Sequence, residues 1–192
     1  MEHIAALRCI PGLTVIRPSD PTETAAAWLT ALRHKSGPTA LLLTRQNLQV
    51  LDRTVYPPAS SLEKGAYMLW QSAPGKPDVI LIASGSEVEL ALKAAQTLRA
   101  ECNVRVVSMP SWELFDRQPA GYRETVLPPT CTRRVAIEAG ISLGWERYVG
   151  PAGRMVCMDR YGASAPYKVL AEKFGFSVDN VIAVARGALA AS

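Results

Sequence analysis

The run Thr39-Ala40-Leu41-Leu42-Leu43-Thr44 is apolar and strand-like, and it stops at Arg45-Gln46-Asn47, a guanidinium followed by two amides. In an open α/β sheet, ligands collect beyond the carboxyl ends of the strands, so Arg45 stands where an anion is usually met. Arginine offers a planar fork that can hold a phosphate through two parallel hydrogen bonds. The plain alternative is a wet surface ion pair, which contributes little. Ser84-Gly85-Ser86 also follows an apolar strand and opens a helix, a place where free backbone N–H groups can receive an anion. It lacks the lysine of a phosphate loop and the glycine spacing of a dinucleotide fingerprint, and Glu87 and Glu89 favour a structural cap instead.

Two carboxylates stand out. Asp20 precedes Pro21 by one residue and Glu23 by three, which combines an N-cap, a first-turn proline and the acid of a capping box. Its reading is structural and not catalytic. Glu138 ends an apolar strand just before Gly140. It is either a poised acid or the acceptor of backbone and arginine hydrogen bonds at a domain junction, and the second fits the rule that buried carboxylates are paired. Trp112, Phe115, Trp145 and Tyr148 stand at loop and helix boundaries and are read as core.

The remaining chemistry is thin. Cys9, Cys102, Cys131 and Cys157 are too widely spaced for a zinc or redox motif, and Cys9 and Cys157 are expected to be buried filler. With only His3 and His34, neither a histidine metal cluster nor a catalytic triad is expected. The formal charge of +4 is scattered with no basic run, so nucleic acid is not an expected partner. No apolar stretch is long enough to span a membrane and no export signal is read at the amino terminus, so a cytoplasmic protein with reduced thiols is expected.

The elements that must position these residues alternate. The spacing predicts a helix over 3–9, an extended segment at 13–16, a helix over 21–34 and a strand over 39–44, which together make a βαβ unit. On the second helix Ala25, Trp28, Leu29 and Leu32 fall at intervals of three and four, the stripe expected to pack on the strand. Pro57, Pro58, Ser60 and Ser61 mark a linker over 56–64. Beyond it, strands are expected at 65–69, 78–83, 104–108, 134–138 and 154–158, and helices at 86–100, 118–126, 143–149, 167–174 and 178–190. This alternation predicts a three-layer α/β/α domain with a mostly parallel sheet over 65–192, preceded by a partial α/β domain over 1–55. A sheet cut to two strands leaves an unpaired edge, where local disorder or self-association is expected.

Several of these segments carry a resemblance to the transketolase family: Ala40-Leu41-Leu42-Leu43-Thr44-Arg45-Gln46, Arg17-Pro18-Ser19-Asp20, Ala83-Ser84-Gly85-Ser86-Glu87-Val88, Ser108-Met109-Pro110-Ser111, Glu138-Ala139-Gly140 and Gly162-Ala163-Ser164-Ala165-Pro166. They occur in the family's order over nearly the whole chain. The resemblance implies that residues 1–55 correspond to the last part of a pyrimidine-binding domain and 65–192 to the carboxyl-terminal domain. It implies a homodimeric enzyme that moves a two-carbon ketol unit between sugar phosphates using thiamine diphosphate and Mg2+ (or Ca2+). In that family the arginine matching Arg45 grips the substrate's terminal phosphate. The Gly-Asp-Gly metal motif, the acid that activates the cofactor and the histidine-glutamine-proline segment have no counterpart in these residues. The chain alone is therefore expected to bind no cofactor and to be inactive. Deoxyxylulose phosphate synthase and the β subunit of a 2-oxoacid dehydrogenase share the domain order and are the enzyme alternatives. A non-catalytic assembly or regulatory domain is the alternative of another class.

Overall fold

The computed structural model describes residues 2–190. Helix α1 (His3–Arg8), strand β1 (Thr14–Ile16), helix α2 (Pro21–Arg33) and strand β2 (Thr39–Leu41) come first, and a 3-10 helix at Ala59–Lys64 follows. Next come β3 (Tyr67–Gln71), β4 (Val79–Ala83), α3 (Glu87–Leu98), β5 (Val104–Ser108), α4 (Trp112–Asp116) and α5 (Ala120–Val126). The chain continues through β6 (Arg134–Ile137), α6 (Glu146–Val149), β7 (Arg154–Val156), α7 (Tyr167–Lys173) and α8 (Val178–Ala190).

Strands β1 and β2 pair in parallel as a two-stranded sheet, and the other five form a second sheet in the order β3-β5-β4-β6-β7. Only β3 runs antiparallel in it. Central β4, Val-Ile-Leu-Ile-Ala, is buried along its whole length, as a strand covered on both faces must be. Alternate side chains then separate two cores. Val79, Leu81 and Ala83 pack with α3 and α8, whereas Ile80 and Ile82 pack with the aromatics around α4, α5 and α6. The three-layer α/β/α architecture with a mostly parallel sheet is the one that the strand and helix alternation implies.

Particular elements depart from that reading. Strand β2 stops at Leu41 and not at Thr44, because its partner β1 ends at Ile16 and turns away at Arg17-Pro18. The strand expected from Gly65 starts at Tyr67. Gly65 sits at φ +80°, closing the 3-10 helix, and a Cβ there would lie 2.1 Å from the Phe115 nitrogen, so only glycine fits the turn. Helix α4 lies between the strand expected at 104–108 and the helix expected at 118–126, where no element is expected; Ser111 caps it by accepting from the Leu114 N–H, and Trp112 and Phe115 anchor it in the core. Pro166 is the N-cap of α7. Ser177 caps the start of α8, its hydroxyl accepting from the Asn180 N–H.

The stripe on α2 is corrected. Trp28, Leu29 and Leu32 are each more than half exposed, and the buried face is Glu23, Ala26, Ala27 and Thr30. Ala26 and Ala27 pack against Ile16, Leu62 and Leu114, so small residues allow the close approach of the 3-10 helix and the larger apolar residues face outward. For the chain on its own, Leu32→Glu is accordingly expected to change stability by no more than about 0.5 kcal/mol in a urea melt. A loss of several times that would restore the original reading of the stripe. Residues 56–64 are also no free tether: Leu62 is fully buried and Arg53, just before them, is bonded to Asp20, Thr22, Pro57 and Tyr67.

Candidate functional site

The last main-chain bond of the β1–β2 pair runs from the Leu42 N–H to the Ile16 carbonyl, 2.9 Å. Leu43, Thr44 and Arg45 then extend into solvent, and the Gln46 N–H turns back to the Thr44 hydroxyl at 3.1 Å. Arg45 is exposed and has no hydrogen bond or ion pair among the described residues. The ridge formed by residues 43–47 parts two clefts, whose linings take in Thr44 on one side and Gln46 on the other but not Arg45 itself. One, of about 440 Å³, is lined by Arg17, Pro18, Leu43, Thr44, Gly85 and Ser86. The other, of about 570 Å³, is lined by Gln46, Asn47 and Leu48 on one side and by α3 with Tyr167 and Lys168 on the other. An exposed cation with no partner among the described residues is free to take an anion.

Behind the ridge lies a junction built from buried charges. Arg8, in the last turn of α1, forks onto both oxygens of Glu138 at 2.7 and 2.8 Å, with both side chains buried. The Ser84 hydroxyl and the Trp145 indole N–H also donate to Glu138, at 2.5 and 3.0 Å. The Arg8 guanidinium lies 3.7 Å over the Trp112 ring. Burial pushes the Glu138 carboxyl up, but Arg8, then Arg17 and Ser84, outweigh it and hold the group below the usual carboxylate value. Glu138 is thus a junction acceptor and not a poised acid.

Arg17 makes the second link. It pairs with Glu87 and donates to the Ser84 carbonyl at 2.7 Å, while the Gly85 N–H donates to the Arg17 carbonyl at 3.0 Å. Gly85 has φ +56°, and a Cβ there would lie 2.7 Å from Arg17 Cζ. Burial works against the Arg17 charge, yet Glu87 and Glu138 keep its guanidinium above the ordinary value. The Ser84-Gly85-Ser86 turn is therefore filled by a cation. Ser86 makes no side-chain cap; its hydroxyl donates to Glu87 at 2.6 Å.

A third link joins α2 to β3 and β5. Asp20 caps α2 by accepting from the Glu23 N–H at 2.7 Å, and both its oxygens also accept from Arg53 Nη2 at 3.1 Å. Glu23 accepts from the Ser19 N–H, the Tyr67 hydroxyl at 2.5 Å and the Ser108 hydroxyl at 2.9 Å. Burial, then Glu23, pushes the Tyr67 phenol well up.

Asp20, Glu23, Glu87 and Glu138, the four buried acids of the junction, are all committed to neighbours inside the chain. Among the described residues no group of three or more His, Cys, Asp and Glu is placed to hold a metal ion. The residues present thus do not fit a metal-held diphosphate: the buried acids are spent on internal partners, and the Ser84–Ser86 turn that opens α3 is filled by Arg17. Cys157 is pushed up to about 12, chiefly by burial, while Cys9, expected to be buried, is exposed at the end of α1 because Ala5 occupies the packed face.

Residues 65–177 match the transketolase-like TK C-terminal domain, and residues 1–50 match the transketolase pyrimidine binding domain. The chain belongs to the transketolase family. It is 51% identical over 183 residues to a transketolase of Geobacillus stearothermophilus, covering 95% of this chain and 27% of that protein. Transketolase from Leishmania mexicana superposes with a TM-score of 0.90 at 44% identity, over 97% of this chain and 27% of that one. A split-gene transketolase described as an inactive β4 tetramer superposes with a TM-score of 0.76 at 25% identity, over 96% of this chain and 60% of that one. This chain therefore spans about a quarter of the length of the curated transketolases it matches. Membership of the family implies thiamine diphosphate chemistry.

Sequence reasoning named Arg45, Asp20, Ser84–Ser86 and Glu138, and the structure brings the last two groups together at one junction. No site role is read there for Arg8, Arg17, Arg53 or Tyr67, and Glu23 is read only as the acid of a capping box. Arg17 carried two signals: it follows directly on the apolar strand β1, and it opens Arg17-Pro18-Ser19-Asp20, one of the segments that carry the family resemblance.

Proposed function

We propose that this chain is the phosphate-gripping and carboxyl-terminal part of a transketolase. The intact enzyme moves a two-carbon ketol unit from a ketose phosphate to an aldose phosphate, as a cytoplasmic homodimer using thiamine diphosphate and Mg2+. The observation that carries the reading is Arg45, an exposed guanidinium without a partner at the ridge between two clefts, in a chain half identical to transketolases along nearly its whole length. Arg45 takes the terminal phosphate of the sugar through its fork, which fixes the far end of the substrate. The chemical step belongs to the cofactor, held by residues outside this chain, because the acids here are already paired. The split-gene relative, inactive as a β4 tetramer, supports a division of labour in which such a chain needs a cofactor-binding partner.

The test is reconstitution. The purified chain is mixed with the portion of a transketolase that precedes the matched region, and ketol transfer is followed with ribose 5-phosphate as acceptor. The mixture is expected to turn over and the chain alone is not. Turnover by the chain alone, or use of pyruvate as donor by the active mixture, would contradict the reading.

A further inference from the structure

Arg17 and Arg45 both follow the paired strands β1 and β2, and the structure joins them through the backbone. The Ile16 carbonyl accepts from the Leu42 N–H at 2.9 Å, three residues before Arg45. The next residue, Arg17, is fastened on every side to the second domain. Its N–H donates to the Pro110 carbonyl at 2.8 Å, its carbonyl accepts from the Gly85 N–H at 3.0 Å, and its guanidinium reaches Ser84 and Glu87. The ridge itself has little else to hold it. Beyond Leu42 the only bond that an amide of residues 43–47 donates is the local one from Gln46 to Thr44. Arg17 and Thr44 also line the same cleft.

We propose that Arg17 is a positioning residue for Arg45: clamped into the Ser84–Glu87 turn, it fixes the height and direction from which the Arg45 ridge leaves the sheet, and so sets the discrimination between phosphorylated and unphosphorylated sugars. The inference rests on the phosphate-gripping role of Arg45. Lysine keeps the charge at position 17 but not the fork, so Arg17→Lys retains one contact of the turn and loses the others. Gly85→Ala leaves Arg17 in place chemically and drives a methyl group into its guanidinium.

The experiment uses the reconstituted enzyme and reads KM for ribose 5-phosphate against KM for free ribose. Arg17→Lys is expected to erode the preference for the phosphorylated sugar by about fivefold or more, as a displaced binding group does. Gly85→Ala should do the same, and it serves as the test if the lysine variant does not fold. The deciding comparison is with Arg45→Ala. If Arg17 acts through Arg45, adding Arg17→Lys to Arg45→Ala changes the preference no further, since the two are coupled and not additive. An equal further loss in the double variant overturns the proposal, as does a single variant that lowers thermal stability while leaving the preference intact. If Arg45→Ala itself leaves the preference unchanged, the phosphate-gripping reading falls and takes this inference with it. If Arg45→Ala acts and Arg17→Lys does not, the inference alone falls.

Discussion

Glu138→Ala is expected to destabilise the chain by about 3 to 5 kcal/mol, read as a lower urea midpoint at unchanged slope. The substitution removes the partner of a guanidinium that is itself buried, and it leaves the Ser84 hydroxyl and the Trp145 indole N–H without their acceptor. A buried arginine stripped of its counter-charge is far costlier than a surface ion pair lost, because its desolvation is no longer offset. The loss is a large fraction of the stability of a domain, commonly about 5 to 15 kcal/mol. Replacing Arg8 and Glu138 together by apolar residues of similar volume is expected to cost much less than either single change. The pair also sets an acid limit. The Glu138 carboxyl is held below its ordinary value in the folded chain, so its contribution is present above the unfolded pKa of about 4.3 and is lost as pH falls through the lower folded value. In Glu138→Gln that part of the acid dependence below about pH 4 should vanish. A Glu138→Ala chain as stable as the parent, with the same acid profile, would remove the junction from the account.

Arg45→Ala in the reconstituted enzyme is expected to raise KM for ribose 5-phosphate by about ten- to hundredfold, the loss of a charge-assisted contact of about 1.5 to 3 kcal/mol. The residue is exposed and unpartnered in the chain, so its removal strands no buried group and should leave the urea midpoint where it was. That separation is the useful part: a kinetic defect without a stability defect is what a substrate contact gives and a structural residue does not. Unchanged kinetics on sugar phosphates would end the assignment.

What was legible in the sequence follows from which forces are local. Strand β4 was readable because a strand covered on both faces is apolar throughout, and the start of α2 because Asp20, Pro21 and Glu23 carry their geometry in short-range hydrogen bonds. The outward stripe of α2 was misread because periodicity identifies a face and not what it meets; here two alanines allow the closer approach of Leu62. The extent of β2 was overread since a strand ends where its partner ends, which is a non-local fact. The same limit explains the junction. Arg8 and Glu138 lie 130 residues apart, as Glu23 and Ser108 lie 85 apart, and nothing local in an arginine or a glutamate says that it is buried beside the other. Arg45 could be picked out only because its place after an apolar run coincides with a family segment, and the structure adds that it has no partner of its own.

The division of labour between this chain and a cofactor-binding partner is tested most directly by calorimetric titration of thiamine diphosphate with Mg2+ into the purified 192-residue chain. With Asp20, Glu23, Glu87 and Glu138 all engaged internally, no saturable heat and no protection against unfolding are expected. Saturable binding at micromolar concentration, about −8 kcal/mol, would show a cofactor site within these residues and contradict the account.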